Sequence, residues 1–566
     1  MTSTNARMFL WLGLVLALWI NYETWQRDYA VPAPVTPATT SSAPLANVPT
    51  ASIPQGAAPA ASAKSTATTT LAAAPATAAG AAAGTAAGTV RVTTDVLDLE
   101  LSLRGGDLVR ADLLKYPRVK GGEERVRLLN DDASHFYFLQ TGLTDTNGAA
   151  HPTHLALFES AQTRHALAEG AAELRVPLTW VDAATGVSVT KTYILRRGSY
   201  RIDLEYAIEN RGTAPWRAAS YAQILRNDKP VERSMFSVES YAFQGPAYYN
   251  GTKYFKINRQ KIADSELPRS VTTGWIAGMQ HHFVTVVVPA EGQNYAYSLK
   301  TQDNQYLLSA TGPMVTVGPQ SGTTLRETLF IGPKLQAQLK TAGPRLDLVA
   351  DYGVLTLLAE PLFWLLEQAH NIVGNWGWAI VIITFLLKLM FYPLSESSGR
   401  SMAKMKVLAP RMKNLQETYK DDREKLGRAM MDLYKREKIN PAAGCLPILI
   451  QMPVFFAFYW VLLESVEMRQ APFMLWIQDL SSRDPFFVLP VIMAGAMFVQ
   501  YKLNPTPPDP IQAKVFMILP FVMSFTFAFF PAGLVLYWVT NTLLTILQQW
   551  NINRRIEAES KKARAG

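Results

Sequence analysis

The stretch WGWAIVIITFLLKLMFY (residues 376–392) is an apolar run of membrane length that contains one ionisable side chain, Lys388. Placing a charged side chain inside a membrane costs about 2.5–3.5 kcal/mol on insertion scales, so such a residue indicates a functional site. Four further apolar runs follow it toward the C-terminus. We therefore expect the function of the chain to involve this cation.

Composition is typical of a membrane protein. Of the 566 residues, 49% are hydrophobic and only 17% are charged, and the formal net charge is +9. Together with the apolar runs, these values favour a chain with membrane-spanning helices. The single cysteine, Cys445, excludes an intramolecular disulfide and any site with several cysteine ligands.

The N-terminal part predicts an anchor followed by a tether. Residues 1–30 hold an apolar run that ends among Trp19, Tyr22 and Trp25, which resemble the aromatic belt of a membrane interface. This pattern favours an uncleaved signal-anchor over a cleaved signal peptide. Residues 31–90 consist mainly of Ala, Pro, Thr and Ser and are predicted to be a disordered linker.

Residues 91–340 predict β structure. Apolar and polar residues alternate from Tyr200 to Ile208, and residues 96–103 show the same period before Gly105. Such strands recur between turn signals without a convincing helical segment. A large antiparallel β sandwich is therefore expected.

The same region offers little chemistry. Its close histidine pairs are His151 with His154 and His281 with His282, and a metal site would also need carboxylates nearby. We interpret them as surface and strand histidines. The region has neither a phosphate-binding loop motif nor a nucleophile-elbow motif, so no metal, cofactor or catalytic residue is predicted.

Residues 341–374 change to a helical period, which predicts an amphipathic helix lying on the membrane surface. Pro361 is expected to interrupt this helix, and Gly374 is expected to end it. The leucines predicted to share its apolar face are Leu355, Leu358, Leu362, Leu365 and Leu366.

The remaining chain predicts a helical membrane core. Residues 375–394 form the second membrane helix and residues 441–550 contain four more, while residues 395–440 form an antiparallel helical hairpin. The hairpin and the tail, residues 551–566, are rich in Lys and Arg, which places both on the cytoplasmic side. The predicted fold class is a multi-domain membrane protein with an α-helical six-span bundle, a large all-β domain on the outer side and a cytoplasmic helical hairpin.

Polar side chains on three of these helices lie at similar depths. Lys388, Gln451 and Asn541 are about 7–8 Å, about 9 Å and about 12–14 Å from the cytoplasmic ends of their helices, and Thr384 and Thr542 lie near them. One interpretation is a polar cavity open only to the cytoplasm. The other is that Lys388 extends to the head groups while the Thr and Asn side chains join helices by hydrogen bonds.

Two further sets of residues are candidates for contact with partners. Methionines on the apolar side of the hairpin could bind hydrophobic nascent segments, although a charged hairpin is also consistent with a solvated surface. These methionines are Met402, Met405, Met412, Met430 and Met431. The basic residues of the C-terminal segment, predicted to contact the ribosome or lipid head groups, are Arg554, Arg555, Lys561 and Lys562.

Four motifs resemble the bacterial YidC membrane protein insertases. They are NPAAGCLPILIQMP (residues 440–453), GLVLYWVTN (residues 533–541), SMAKMK (residues 401–406) and QAPFMLWIQDL (residues 470–480). The resemblance covers roughly residues 345–556. The order of anchor, linker, β domain and five-helix core is similar to the Gram-negative form with a large periplasmic domain.

The resemblance implies a hydrophilic groove in the inner half of the membrane that holds one positive charge. Lys388 occupies that position, where many members carry arginine. A polar client tail would enter the groove while the client's hydrophobic segment moves into lipid, so no nucleotide is required. The residues that the resemblance places in the groove are Lys388, Thr384, Gln451, Tyr537, Trp538, Asn541 and Thr542.

The resemblance also implies the setting. The expected location is the bacterial inner membrane, with both termini cytoplasmic and a β-supersandwich domain in the periplasm. The expected partners are nascent inner-membrane proteins, the Sec translocon with its accessory subunits, the ribosome and the phospholipid bilayer, and the chain is expected to act as a monomer without enzymatic activity.

Two alternatives stay open at this point. The chain could be a solute or anion transporter that uses Lys388, although polarity at half depth and the lack of two matching Gly-interrupted halves argue against it. It could also be a membrane-tethered periplasmic carbohydrate-binding protein or enzyme whose active part is the β domain.

Overall fold

The computed structural model of the protein describes two compact units. The described residues are 88–132, 135–145, 151–227, 242–258, 267–302, 305–350, 352–419, 422–437, 446–504 and 510–565. Within them, one unit ends at residue 350 and consists mainly of strands, and the other consists of helices from residue 352 onward. The predicted anchor and nearly all of the predicted linker lie outside the described residues, as does Cys445.

The first unit is built from strands in two sheets. The strands are β1 (Thr89–Thr93), β2 (Leu97–Ser102), β3 (Asp107–Pro117), β4 (Arg125–Leu129), β5 (Tyr137–Thr144), β6 (Arg164–Ala166), β7 (Glu173–Asp182), β8 (Val187–Arg196), β9 (Arg201–Asn210), β10 (Trp216–Asn227), β11 (Gly245–Tyr249), β12 (Tyr254–Lys256), β13 (Trp275–Met279), β14 (Phe283–Val288), β15 (Ala296–Gln302), β16 (Gln305–Thr311), β17 (Val315–Val317) and β18 (Ser321–Pro333).

The two sheets confirm the expected sandwich. A ten-stranded sheet has the order β15-β16-β10-β5-β3-β2-β1-β6, with β17 beside β10 and β4 beside β3. An eight-stranded sheet has the order β12-β11-β13-β14-β18-β9-β8-β7. Neighbouring strands are antiparallel, except that β1 pairs with β6 in parallel.

The alternation read from the sequence decides which side chains fill the space between the sheets. In β9 every second residue is buried, including Ile202, Leu204 and Tyr206, while the residues between them are partly exposed. β2 repeats this pattern. Because the side-chain period of a strand is two, this alternation fixes the face and the register of each strand.

Charged groups also lie in the sandwich interior, which composition did not predict. Lys191 of β8 is 0% exposed, Asp107 is 4% exposed and Glu327 is 3% exposed. The Lys191 Nζ donates to the carbonyl oxygen of Gly105 at 2.8 Å and to that of Thr141 at 3.0 Å. Since Thr141 belongs to the opposite sheet, these hydrogen bonds join the two layers.

The prediction of surface histidines is wrong at three of the four positions. His151, His154 and His282 are buried. The His154 Nδ1 lies 2.7 Å from the hydroxyl of Tyr221, and the ring of His151 stacks on Trp216 with centroids 4.8 Å apart. Within the described ranges, no group of three or more His, Cys, Asp or Glu side chains is arranged to hold a metal ion.

One short helix follows the last strand within the first unit, and the other helices form the second unit. They are α1 (Gln336–Ala342), α2 (Thr356–Val373), α3 (Trp376–Met390), α4 (Tyr392–Thr418), α5 (Arg423–Arg436), α6 (Leu446–Glu464), α7 (Val488–Leu503), α8 (Pro510–Phe527) and α9 (Ala532–Ala565). Short 3₁₀ helices occupy Leu346–Val349, Gly353–Leu355 and Val466–Met468.

Several local predictions change in this part of the chain. α1 falls inside the region where no helix was expected, and Pro361 lies within α2 instead of interrupting it. Leu358 and Leu365 are more than a third exposed, because α2 buries a different face. The residues buried on that face are Ala359, Leu362, Phe363, Leu366 and Ala369. Gly374 ends α2 in the left-handed conformation (φ 66°), as predicted.

Helix boundaries also differ from those read from hydropathy. α4 begins at Tyr392 and α5 follows it, so the hairpin is present but starts earlier than expected. α9 continues to Ala565 through the segment interpreted as a separate tail. The reason is that hydropathy detects the apolar part of a helix, whereas backbone hydrogen bonding extends into the polar part.

No helix among the described residues is by itself both long and apolar enough to cross a membrane. α3 and α4 meet that requirement only as a pair, and they are bent by 69° at their junction. The six-span arrangement therefore stays a prediction.

Candidate functional site

Lys388 lies in the last turn of α3 and is half-buried. α3 begins with an N-cap at Asn375, whose side chain accepts a hydrogen bond from the Trp378 backbone at 3.1 Å. The Lys388 Nζ donates to the Thr545 Oγ1 at 2.8 Å and to the Asn541 Oδ1 at 3.3 Å. Both acceptors belong to α9, so the cation joins the end of α3 to the middle of α9.

A third helix enters the same network. The Gln451 Nε2 of α6 donates to the Asn541 Oδ1 at 3.0 Å, and Gln451 also contacts the hydroxyl of Tyr537. Asn541 therefore accepts hydrogen bonds from two helices at one oxygen. We call Lys388, Gln451, Asn541 and Thr545 the polar network.

Thr545 was missed by the sequence reasoning. Its Oγ1 donates to the backbone carbonyl oxygen of Asn541 at 2.7 Å and accepts from Lys388. Thr545 follows Asn541 by four residues, so the two side chains lie one above the other on the same helix face. That spacing is the signal in the sequence that could have identified it.

The other predicted groove residues lie close by but have different surroundings. Thr384 is 2% exposed and its hydroxyl donates to the Ile380 carbonyl oxygen of its own helix at 2.6 Å, and Thr542 is also buried. Tyr537 stacks on Phe458 with centroids 4.6 Å apart. Thr384 and Tyr537 are therefore packed into the apolar interior beside the polar network, and neither is a hydrogen-bond acceptor of Lys388.

Trp538 belongs to an aromatic contact between helices. Its ring meets that of Phe455 edge to face at 4.7 Å and lies 5.0 Å from that of Phe527. This packing joins α9 to α6 and α8 beside the polar network. Trp538 can thus shape the site without a hydrogen bond to Lys388.

The helical unit closes at the end opposite to the polar network. The loop between α6 and α7 accepts two hydrogen bonds there. The Asn375 side chain donates to the Phe473 carbonyl oxygen at 2.9 Å, and the Ala532 backbone N–H donates to the Ser482 carbonyl oxygen at 2.7 Å. Asn375 and Ala532 are the N-terminal ends of α3 and α9. An apolar core that includes Ile383 lies between this loop and the polar network.

The charge of Lys388 has no anionic partner in the part of the chain that the structure describes. Its two acceptors are an amide oxygen and a hydroxyl oxygen, and both are neutral. An ammonium has three donors, so one N–H is left for another acceptor. The site can therefore offer a charge-assisted hydrogen bond to an incoming carboxylate or carbonyl group.

The predicted recruitment methionines are mostly inside the hairpin. Met412 is 6% exposed and forms a small core with Leu408, against which Met405 and Met430 pack. Met402 and Met431 are half-buried. The apolar side of each arm thus covers the other arm, which reduces the methionine surface open to a client.

The basic residues at the C-terminal end lie on α9. Arg554 and Arg555 are exposed, and the guanidinium of Arg554 lies 5.9 Å from the ring centroid of Trp550. The side chains of Lys561 and Lys562 lie outside the described part of the structure.

Comparison with known proteins decides the family. The family model of the 60Kd inner membrane protein matches residues 368–560, and that of the YidC periplasmic domain matches residues 89–365. The membrane protein insertase YidC of Thioalkalivibrio sulfidiphilus is 46% identical over 570 residues, which cover 99% of this chain and 100% of that protein. This chain belongs to the YidC family of membrane protein insertases.

Other YidC proteins are also similar to this chain. The YidC insertase of Nitrosococcus oceani is 43% identical over 558 residues, covering 98% of this chain and 99% of that protein. A crystal structure of an active YidC insertase with its first transmembrane domain resolved is 18% identical, covers 81% of this chain and 91% of that chain, and has a TM-score of 0.37. At that TM-score the assignment rests on the sequence relatives.

Membership of the YidC family assigns function and location. The chain is an inner-membrane insertase, and its β sandwich corresponds to the YidC periplasmic domain. The resemblance noted in the sequence is thereby confirmed, and insertion is favoured over the transporter and the carbohydrate-binding alternatives.

Proposed function

We propose that the polar network is the client-binding groove of this insertase and that the positive charge of Lys388 binds the client. The observation that carries the proposal is the Lys388 ammonium, which, among the described residues, donates only to neutral oxygens where three helices meet. A half-buried cation without an anionic partner costs free energy, so its presence indicates a functional site. We infer that the missing partner is supplied by the client.

The mechanism follows from this arrangement. The acidic or polar N-terminal tail of a nascent inner-membrane protein enters the groove and accepts a hydrogen bond from Lys388. The tail then has to pass only the apolar core beyond the polar network, while the client's hydrophobic segment moves into lipid. Burial of about 20 apolar residues drives the step, so neither a nucleotide nor a catalytic group is needed.

The proposal includes a topology and a set of partners. The six predicted spans place both termini, the hairpin and the end of α9 in the cytoplasm, in agreement with the positions of the basic residues. The exposed Arg554 and Arg555, together with Lys561 and Lys562, then form a contact for the ribosome or for anionic lipid head groups. The Sec translocon with its accessory subunits is a further proposed partner, and a single chain is the proposed functional unit.

Substitution of Lys388 tests the groove charge. Insertion of clients with acidic tails into proteoliposomes is measured for Lys388→Arg, Lys388→Ala and Lys388→Glu. We expect Lys388→Arg to keep activity because it keeps the charge, Lys388→Ala to lose most of it, and Lys388→Glu to be the worst because it repels the tail.

Lys340→Ala is the matched control, since it removes an exposed lysine of α1 outside the site. Full insertion by all three Lys388 variants would contradict the groove mechanism. Ion flux through protein-containing liposomes at a rate independent of any client would instead favour the transporter.

A further inference from the structure

We propose that Thr545 is a positioning residue of the groove, which orients the Lys388 ammonium so that one N–H faces a client carboxylate. The inference rests on the proposed role of Lys388 and adds the residue that sets its direction. Without such a contact, a lysine side chain samples many rotamers and holds its charge at no fixed point.

The hydroxyl of Thr545 is fixed in one orientation. It has a single proton, which it donates to the Asn541 carbonyl oxygen at 2.7 Å. Its lone pairs are therefore left to accept from Lys388, at 2.8 Å. The backbone of α9 thus determines that this hydroxyl acts as an acceptor toward the cation.

Asn541 supplies the second fixed acceptor. Its Oδ1 lies 3.0 Å from the Gln451 Nε2 and 3.3 Å from the Lys388 Nζ. Both of these groups are donors, so the amide oxygen, and not the amide nitrogen, has to face them. The contact with Lys388 is longer here than at Thr545, which makes Thr545 the closer of the two acceptors.

The two acceptors hold the cation without neutralising it. They stand one turn apart on α9 and occupy two of the three ammonium donors. A carboxylate at either position would pair with the cation and compete with the client. Neutral oxygens at both positions therefore favour clients whose tails carry Asp or Glu.

The test compares isosteric and conservative substitutions in the full-length protein. Thr545→Val removes the hydroxyl at nearly constant volume, and Thr545→Ser retains it. Thr526→Val is the matched control, because the Thr526 hydroxyl of α8 also donates to the carbonyl oxygen four residues earlier (Val522, 3.0 Å) but lies on an exposed surface. Each variant is reconstituted with a client whose tail carries Asp and Glu, and with the same client after Asn and Gln replace them.

We expect Thr545→Val to slow insertion of the acidic client by about tenfold, the effect of losing one hydrogen bond to a charged group. Insertion of the neutral client should change by about twofold at most. Thr545→Ser and Thr526→Val should insert both clients at the rate of the unmodified protein. Thr545→Ala serves as a second variant without the hydroxyl if the valine variant does not accumulate.

Four outcomes overturn the proposal. Thr545 would be a packing residue only if Thr545→Val slowed the insertion of both clients equally. The same conclusion would follow if Thr545→Ser did not insert the acidic client at the rate of the unmodified protein. An unchanged rate for Thr545→Val and Thr545→Ala, with strong slowing by Lys388→Ala, would reject the positioning role and leave the groove charge standing. An unchanged rate for Lys388→Ala would reject both.

Discussion

Asp484 shows how one side chain stabilises the loop that closes the helical unit. It is 1% exposed, and its Oδ1 accepts hydrogen bonds from the Trp476 Nε1 at 3.0 Å and from the Phe486 backbone at 3.1 Å. Its Oδ2 accepts from the Leu489 backbone at 2.7 Å, in the first turn of α7. This carboxylate therefore serves as the N-terminal cap of α7 from outside the helix.

Removal of this carboxylate should destabilise the helical unit. In Asp484→Ala, three donors lose their acceptor, and the buried one, the Leu489 backbone N–H, alone costs about 1–3 kcal/mol. We expect a clear fall in the midpoint of thermal unfolding in detergent, followed by circular dichroism. Asp432→Ala, at an exposed position of α5, is the control and should leave the midpoint unchanged. A midpoint equal to that of the control would show that the loop is held by other contacts.

The candidate site was partly predictable at this scale. Lys388, Gln451 and Asn541 stand out because charged and amide side chains are rare in apolar runs, and counting residues places them at similar depth. Thr545 does not stand out, since a threonine in a membrane helix commonly bonds its own backbone. Its second hydrogen bond depends on how α3 crosses α9, which no local pattern in the sequence shows.

At the scale of elements, the contact between α3 and the loop of residues 465–487 depends on a missing side chain. A Cβ on Gly377 would lie 2.0 Å from the Phe473 Cδ2 and 2.4 Å from its Cγ. The ring of Phe473 therefore packs directly on the backbone of α3. Trp378 meets the same ring edge to face, with centroids 5.4 Å apart.

Gly377→Ala should push the loop away from α3. Overpacking of this kind costs about 1–3 kcal/mol, even though alanine is the better helix former. The free energy of unfolding is measured for Gly377→Ala, for Phe473→Ala and for the variant that carries both substitutions. The double variant should be more stable than the sum of the single losses predicts, because the clash needs both side chains.

Gly427→Ala provides the matched helical control. A Cβ at Gly427 of α5 would meet nothing within 4 Å, so this variant should be neutral or stabilised by up to about 1 kcal/mol. Strictly additive losses for Gly377 and Phe473 would contradict the proposed clash.

Element types were more predictable than element faces and ends. The alternation in β9 identified a half-buried strand, and the apolar runs located α3 and α6 through α9. The buried face of α2 was misjudged because this helix carries apolar residues on more than one side, including the 85% exposed Leu357. Which of several apolar faces is buried depends on tertiary packing, and the sequence period alone does not decide it.

At the scale of the whole molecule, the change of side-chain period from residue 346 predicted helices after a β region, since strands and helices differ in period. The sequence did not reveal the charged interior of the β unit. Lys191, Asp107 and Glu327 lie on different strands or strand ends, and only the stacking of the two sheets brings them into one interior.

These buried carboxyls should make the stability of the β unit depend on pH. Burial, partly offset by Lys191, raises the pKa of Asp107 and that of Glu327 to about 7. Between their ordinary values and about pH 7, the folded state binds protons that the unfolded state has released. The free energy of unfolding should therefore fall as pH rises through this window, by about 1.4 kcal/mol per pH unit for each group.

Urea unfolding of residues 88–350 at a series of pH values, followed by tryptophan fluorescence, measures this slope. Burial lowers the pKa of His154 to about 4, so this ring contributes an opposite slope up to about pH 6.5. Asp107→Asn and Glu327→Gln should each make the fall shallower by about 1.4 kcal/mol per pH unit, since each carboxyl contributes one proton. Glu291→Gln, at an exposed position, should leave the slope unchanged. A stability that rises with pH between about 5 and 7 would contradict the assignment.

The bend of 69° after α3 has an electrostatic consequence for Lys388. Because α3 ends at Met390, Lys388 lies in its final turn, where the aligned peptide carbonyls point along the axis toward the end of the helix. Aligned peptide dipoles place about half a negative charge at such an end, worth about 0.3–1 kcal/mol to a nearby cation. A straight helix through residue 391 would move this partial charge away along the axis. The bend thus gives the lysine a diffuse counter-charge that attracts it without occupying the N–H that a client would use.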